Sequence, residues 1–336
     1  MRSPETNSPS LAASNLGIKL GIFTLLAVTC MGMQPGLALA AEAELTAAAP
    51  VYSVIDDARA ITRDWSERLA RHVDSWFGNA PFEDGGRVTQ GQLSLGVFHR
   101  QDQGTDVTVR FSARFRLPNF ERSAYLFVGR DNPREAIRDT PGLSGLQQQG
   151  LTSKPGDRSF LGGLGGTLGD DVSFRVGVGA RLQPFAQVRW DRPWVLSPGQ
   201  VLALRETLFW SRAERFGATT ALTYELELQR PWTLRWLGAA TITQETRNVE
   251  WSGTLGVYRD FGPQRLLSLE LPFSGTGTRG TGVGMSDRGV LGKWQQPIYK
   301  DWLLGELAVG HFWLRPDALS PRGRAWALGY SLRMYL

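Results

Sequence analysis

The sequence predicts an all-β membrane protein: a single antiparallel transmembrane β-barrel of about fourteen strands, with twelve as the alternative, preceded by one amphipathic α-helix. Three observations support this fold class. Segments in which apolar and polar residues strictly alternate recur from residue 87 to residue 336. The polar face of these segments is rich in arginine. After the N-terminal segment, no stretch has the roughly 18 uninterrupted apolar residues that a membrane helix needs. A barrel with a lipid-facing exterior and a polar interior accounts for all three.

The N-terminus predicts a secretory signal peptide over residues 1–40. Arg2 and Lys19 supply positive charge, residues 20–33 form an apolar core, and 38–40 read Ala-Leu-Ala, a small-x-small cleavage site. A retained membrane anchor is the alternative. Cys30 is the only cysteine and leaves with the signal, which excludes a cysteine nucleophile and a thiolate metal site in the mature chain.

Residues 41–53 are alanine-rich and predict a flexible leader, and the region 54–80 then changes to a helical period. The apolar positions, spaced by three and four, are Ile55, Ala58, Ile61, Trp65, Leu69, Val73 and Trp76. Gly78 and Pro81 end this pattern, as expected at a helix C-terminus. We expect this periplasmic helix to cap the barrel, lie on the membrane, dock a partner, or simply pack at the barrel mouth.

From residue 87 onward the chain reads as strand-length segments separated by turns, which predicts the barrel domain 87–336. The segment 105–117 alternates most clearly, and 172–181 and 222–229 follow the same rule. Residues 130–158, 274–286 and 315–322 predict loops. An even number of strands would place both termini on the periplasmic side.

Alternation also predicts which charges face the lumen. The predicted lumen residues are Arg110, Arg114, Arg116, Arg175, Arg181, Glu225, Glu227, Glu270 and Glu306. An excess of arginine along a pore favours anions. The alternative is a network of interior salt bridges that fills a closed barrel.

Tryptophans near the strand ends predict the interfacial girdles of a transmembrane barrel, because an amphipathic indole is most stable at the edge of the membrane. The predicted girdle residues are Trp190, Trp194, Trp210, Trp232, Trp251, Trp302 and Trp313.

The final segment, 324–336, alternates apolar and aromatic residues with small and polar ones up to Leu336. It resembles the terminal strand of bacterial outer-membrane barrels, although that strand more often ends in phenylalanine. The resemblance implies a location among outer-membrane lipids and recognition of this strand by the barrel-assembly machinery.

A second resemblance covers most of the mature chain. Trp76-Phe77-Gly78, Arg116-Leu117-Pro118 and the run Ile-Tyr-Lys-Asp-Trp-Leu at 298–303 are similar to an uncharacterised group of proteobacterial barrel proteins. This resemblance implies fold and location in a Gram-negative outer membrane, and no activity.

Signals for enzymatic chemistry are weak. The three histidines, His72, His99 and His311, lack a His-x-Ser pairing, so we expect no catalytic residues. The glycine spacing at 275–280 lacks a following helix and predicts a loop, not a nucleotide site. No metal-ligand spacing is present, and we expect no cofactor and no nucleic acid partner.

These patterns predict a porin-like channel for small polar or anionic solutes, with the N-terminal helix as gate or plug. One alternative is a non-conducting scaffold that holds a periplasmic or envelope-assembly partner at residues 54–77. A lipid-acting barrel enzyme that uses a rim histidine is the third hypothesis.

Overall fold

The computed structural model describes residues 56–57, 59–61, 63–64, 87–116, 124–140, 159–278, 282–315 and 321–336. The chain divides into two units, Met1–Ala58 and Arg59–Leu336, and the second contains the barrel. The described residues between 56 and 64 are helical. The predicted signal peptide, the leader and residues 65–80 of the predicted helix lie outside the described residues.

Fourteen strands form the barrel, as the sequence predicts, so the alternative of twelve is wrong. They are β1 (Arg87–Arg100), β2 (Gly104–Arg116), β3 (Ala124–Asp131), β4 (Ser159–Leu168), β5 (Val172–Val178), β6 (Pro184–Ser197), β7 (Gln200–Ser211), β8 (Arg215–Glu227), β9 (Trp232–Thr243), β10 (Val249–Asp260), β11 (Leu266–Thr278), β12 (Gly282–Tyr299), β13 (Leu303–Leu314) and β14 (Gly323–Tyr335).

Each strand pairs antiparallel with its neighbours, and β1 pairs with β14 to close the barrel. The closing ladder runs from Gln92 opposite Tyr335 to Arg100 opposite Ala327. The chain end continues it, because the Leu336 amide donates to the Gly91 carbonyl at 3.0 Å. A Cβ at Gly91 would lie 2.8 Å from the Cβ of Leu336, so this glycine makes room for the last side chain.

The even strand number brings the start of β1 and the end of β14 to one end of the barrel, which we call the terminal end. The opposite end, which we call the loop end, carries the connection from β3 to β4. That connection contains a six-residue helix, Pro133–Arg138, which we call the loop helix. Among the described residues, no helix is both long and apolar enough to cross a membrane.

Alternation along the strands separates an outer face from an inner face. On β13 and β14, Val309 and Leu328 are exposed, whereas their neighbours Ala308 and Ala327 are buried. Large apolar side chains are exposed around the outer face of the barrel: Leu95, Val107, Val176, Val188, Leu208, Leu255, Leu269, Leu307, Val309 and Leu328. A surface of this kind is unstable in water and stable in lipid. The molecule is therefore a transmembrane β-barrel.

The inner face differs in character around the barrel. On β1 and β12–β14 it carries a buried apolar cluster: Phe98, Leu291, Ala308, Phe312, Leu314, Ala325 and Ala327. On β2–β10 it carries most of the charged side chains described below. The inner face of β1 and β12–β14 thus carries a larger apolar cluster and fewer of the described charges than the inner face of β2–β10.

Two predicted loops are wrong in extent. The loop predicted over 274–286 is mostly strand, because β11 continues to Thr278 and β12 begins at Gly282. Gly275 explains part of this, since a Cβ there would lie 2.6 Å from the Trp251 ring of β10. The glycine admits a neighbouring indole within the sheet and does not mark a turn. The loop predicted from Arg130 begins two residues later and contains the loop helix.

Candidate functional site in the barrel lumen

The loop helix is folded into the barrel. Its start is capped by Asn132, whose side-chain Oδ1 accepts a hydrogen bond from the Arg134 amide at 3.1 Å. Ile137 packs in a buried cluster with Phe127, Phe185 and Phe209, which occupy inner positions on β3, β6 and β7. Gln187 on β6 donates to the Ile137 carbonyl at 2.9 Å. The helix therefore lies against the inner wall and narrows the lumen at this level.

A buried ion-pair cluster fixes the C-terminal end of the loop helix. The Arg138 guanidinium donates to both carboxylate oxygens of Glu214, at 3.0 Å and 2.8 Å, and to Glu250 at 2.5 Å. Arg134 adds a further ion pair to Glu214 at 2.6 Å. Burial alone lowers the pKa of Arg138, but its hydrogen bonds with Glu214 and Glu250 outweigh burial and raise that pKa above its ordinary value. Arg138 is therefore always cationic, and this cluster ties the loop helix to the β7–β8 turn and to β10.

A second cluster of alternating charges follows the loop helix. Asp139, which has left-handed backbone geometry, pairs with Arg189 at 3.2 Å and Arg205 at 3.6 Å. Asp191 pairs with the same two arginines, at 2.7 Å and 2.5 Å. These two carboxylates and two guanidinium groups neutralise each other where the loop meets the inner wall of β6 and β7.

Four predicted lumen arginines lie on inner positions of β2 and β5: Arg110, Arg114, Arg116 and Arg175. We call them the arginine wall, and all four side chains are partly exposed. Tyr125 joins two of them, because Arg114 stacks over its ring at 5.3 Å and Arg175 donates to its hydroxyl at 3.3 Å. The Tyr125 ring lies across Gly165 on β4, where a Cβ would be 2.6 Å from the ring. Small residues on β4 thus allow the two cations to share one aromatic ring.

The predicted lumen carboxylates, Glu225, Glu227, Glu270 and Glu306, lie on inner positions of β8, β11 and β13. We call them the carboxylate wall. Each has a basic partner close by: Arg235 for Glu225 at 3.1 Å, Arg230 for Glu227 at 2.8 Å, Lys293 for Glu270 at 2.5 Å and Arg333 for Glu306 at 3.8 Å. The carboxylate wall is therefore neutralised pair by pair. By contrast, no carboxylate of the described residues forms an ion pair with Arg116 or Arg175.

Arg181 does not lie where the strand pattern places it. Strand β5 ends at Val178, and the chain then turns, with the Gly179 amide donating to the Gln183 carbonyl at 2.8 Å. Arg181 lies within this turn in left-handed backbone geometry and is exposed. The alternation from 172 therefore cannot be extended to this residue, which belongs to the loop end and not to the inner wall.

Most of the predicted girdle tryptophans point outward from the strand ends. Trp190, Trp194 and Trp232 lie near the terminal end, and Trp210, Trp251 and Trp313 lie near the loop end. Trp302 differs from them. It is only 5% exposed in the β12–β13 turn, because Arg59 stacks over it at 4.7 Å and Tyr299 packs edge-on at 5.5 Å. Covered in this way, Trp302 is a packing residue of the rim.

The described histidines contact a hydroxyl group in one case and two tryptophan rings in the other. His99 Nδ1 lies 3.0 Å from the hydroxyl of Thr105, the residue directly opposite on β2. His311 lies between Trp313 and Trp326, with ring centroids 4.5 Å and 4.6 Å away. The third, His72, lies outside the described residues. Within the described part of the chain, no group of three metal-ligating side chains comes together.

The alternation of apolar and polar residues does not predict the loop helix or its ion pairs, although the sequence contains a signal for the helix. Asn132 before Pro133, a glutamate at 135 and a basic residue at 138 match the pattern of a short capped helix. Glu214 and Asp139 carry no such signal, because both lie in turns and act on residues far away in sequence.

Comparison with known proteins gives distant similarities to solved structures. No protein-family model matches the chain, and no curated protein sequence matches it significantly. Among solved structures, it is similar to a loop-deletion mutant of OmpT, an outer membrane protein of Vibrio cholerae, at 13% identity and a TM-score of 0.44 over 75% of this chain and 100% of that one. It is also similar to the outer membrane channel DcaP of Acinetobacter baumannii, at 8% identity and a TM-score of 0.45 over 76% and 98% of the chains. OccK11 of Pseudomonas aeruginosa gives 11% identity and a TM-score of 0.41 over 75% and 97%.

At these identities and TM-scores, the similarities carry no argument about a solute or an activity. The protein's own closed ladder of fourteen strands defines its class. It has the fold of the bacterial outer-membrane β-barrel proteins.

Proposed function

We propose that this protein is an outer-membrane channel that conducts small polar solutes and favours anions. The observation that carries the proposal is the imbalance between the two walls of the lumen. Each residue of the carboxylate wall has a basic partner, whereas Arg116 and Arg175 of the arginine wall have no carboxylate partner among the described residues. A pore lined in this way presents net positive charge to a passing solute.

The proposed location rests on the outer surface. Apolar residues exposed around the whole barrel suit a lipid environment, and exterior tryptophans near both ends suit two membrane interfaces. The paired termini of barrels in this membrane face the periplasm. We therefore assign the terminal end to the periplasmic side and the loop end to the outside, with β14 as the strand that the assembly machinery recognises.

The loop helix supplies the constriction of this channel. Fourteen strands enclose a lumen wide enough for a pore, so a selective channel needs an element that narrows it. Ile137 and Arg138 anchor the helix on inner positions of β3, β6, β7 and β10. Solutes then pass beside the helix, next to Arg114 and Arg175.

The N-terminal helical segment is a candidate gate at the terminal end. Arg59 Nε donates to the Tyr335 carbonyl at 3.0 Å, and its guanidinium stacks over Trp302. These contacts attach Arg59 to the rim formed by β14 and the β12–β13 turn. Such an attachment supports a plug or a lid at the entrance of the lumen.

One observation favours a second function. Ile61 in the same helical segment is 67% exposed although its position in the helix is apolar. A segment that is held at the rim and presents an apolar side chain could dock a periplasmic partner. On this alternative the barrel is a scaffold that does not conduct.

Planar-bilayer recording of the refolded mature chain tests the channel, alongside a variant that lacks residues 51–80. Stepwise currents from the full mature chain are expected if the segment leaves a path open. Steps from the shortened chain alone would make the segment a plug. If heat-shifted gel mobility shows both proteins folded and neither conducts, the channel is refuted and the scaffold remains. The scaffold further requires that deletion of 51–80 abolish a specific pull-down.

A further inference from the structure

The outer face carries a groove near the loop end that the channel does not use. It spans β6 to β10, has a volume of about 1320 Å³ and has a floor of apolar side chains. Leu208, Phe216 and Ile242 line it, and they are 61%, 62% and 48% exposed. Ala218 lies between them on the outer face of β8, and its small side chain leaves the depression open. An open apolar groove on the lipid-facing side has the shape and chemistry to hold acyl chains.

Two cationic residues line the same groove at its edge by the loop end. Arg215 begins β8, and Arg247 lies in the β9–β10 turn; both are exposed. Among the described residues that line the groove, none is a carboxylate. Glu214, next to Arg215 in sequence, is turned into the lumen, where it binds Arg134 and Arg138. The groove therefore combines an apolar floor with a positively charged edge.

The backbone at both arginines is unusual. Arg215 has φ 60° and Arg247 has φ 53°, a left-handed geometry that glycine or asparagine adopts with less strain. In short hairpins this position usually carries such a residue. Each turn instead places a long guanidinium side chain at the edge of the groove.

We propose that this groove binds one lipid with a phosphate-bearing headgroup, whose acyl chains lie over Leu208, Phe216 and Ile242 and whose phosphate is held by Arg215 and Arg247. Guanidinium groups bind phosphate with charge-assisted, often bidentate hydrogen bonds. The apolar floor adds affinity through the area that it removes from water. The charge of the edge complements a phosphate, which selects this occupant over a zwitterionic lipid.

The test uses the refolded mature chain in detergent, with dioleoyl phosphatidic acid as the probe and dioleoyl phosphatidylcholine, which has the same acyl chains, as the reference lipid. Bound lipid is counted by native mass spectrometry. We expect the wild type to retain phosphatidic acid in preference to phosphatidylcholine. The double variant R215N/R247N should lose roughly twenty-five-fold in affinity, because each arginine near an anionic lipid contributes roughly fivefold.

A matched control separates the lost charge from a damaged turn. Arg181 also has left-handed geometry (φ 54°) and lies exposed at the loop end, but it does not line the groove. R181N should therefore bind phosphatidic acid as the wild type does. Asparagine suits the backbone at all three positions, so the variants should keep the heat-shifted gel mobility of the folded barrel.

Three results would overturn the proposal. Equal retention of both lipids by the wild type would show only a general lipid-facing surface. Unchanged binding by R215N/R247N in a folded protein would remove the two arginines from the site. If native mass spectrometry instead shows an oligomer of this chain without bound lipid, the groove is an interface between copies of the protein.

Discussion

The arginine wall and the carboxylate wall are both predicted by alternation along the strands, but their charged side chains have different kinds of partner in the structure. Each glutamate of the carboxylate wall meets a basic side chain, from a neighbouring strand for Glu225, Glu270 and Glu306 and from the adjacent turn for Glu227. On the arginine wall, Arg114 and Arg175 are arranged around the Tyr125 ring. Paired charges stabilise the barrel locally, whereas cations held beside an aromatic ring leave positive potential in the lumen. If the protein is the proposed channel, we expect its ion selectivity to be set on the side of the arginine wall.

Reversal of charge on the arginine wall should give the largest effect. In R114E/R175E, two inner cations become anions, so the reversal potential in a salt gradient should change sign from anion-favouring to cation-favouring. Planar-bilayer recording measures this directly. R181E carries the same charge change at an exposed loop-end residue and should shift the potential only slightly. An unchanged sign in the double variant would contradict the role of the arginine wall.

Removal of the anchor of the loop helix should have the next largest effect. Glu214→Ala leaves the buried Arg138 with Glu250 as its only described carboxylate partner, so we expect a loss of about 3 kcal/mol in the free energy of unfolding. The freed helix should also raise single-channel conductance. Urea unfolding followed by gel mobility gives the stability. Glu245→Ala, in an exposed turn, is the control and should change neither quantity.

Removal of one charge from the carboxylate wall should affect stability more than selectivity. Glu270 is fully buried against Lys293 and also accepts from Ser268 at 3.1 Å. Glu270→Gln keeps the shape and loses the charge, so we expect the free energy of unfolding to fall by about 2 kcal/mol. The reversal potential should keep its sign. A change of selectivity as large as that of R114E/R175E would mean that both walls set it.

Displacement of the Tyr125 ring, which lies between Arg114 and Arg175, should give the smallest effect. Gly165→Ala puts a Cβ about 2.6 Å from the Tyr125 ring, which must move and disturb Arg114 and Arg175. We expect a loss of about 1 kcal/mol in stability and a weaker anion preference. Gly96→Ala is the matched control on β1, where the nearest atom would lie 3.6 Å away. If both substitutions weaken the anion preference equally, the position of the Tyr125 ring does not affect selectivity.

The sequence predicts much of this fold because each strand of a transmembrane barrel needs apolar and polar residues in alternation. Alternation places Arg110, Arg114 and Glu270 on one face, since side-chain direction alternates along any strand. Alternation cannot identify partners, because the pairing of Glu270 with Lys293 depends on the register of neighbouring strands.

Short elements account for most of the remainder. The sequence pattern places Arg181 in a strand because the alternation continues through the three residues 179–181 after Val178. Only the turn at 179–183 removes it from the sheet. The loop helix has six residues, too few for a helical period to show, so only its capping residues could reveal it. The burial of Trp302 could not be predicted either, because it depends on the stacking of Arg59, a residue far away in sequence.

The reversal potential of the refolded mature chain in a potassium chloride gradient, measured in planar bilayers, decides whether the lumen favours anions. Discrete conductance steps with a reversal potential on the side set by chloride are expected, because each glutamate of the carboxylate wall has a basic partner whereas Arg116 and Arg175 have no carboxylate partner among the described residues. A folded protein that conducts with a reversal potential set by potassium would contradict this expectation.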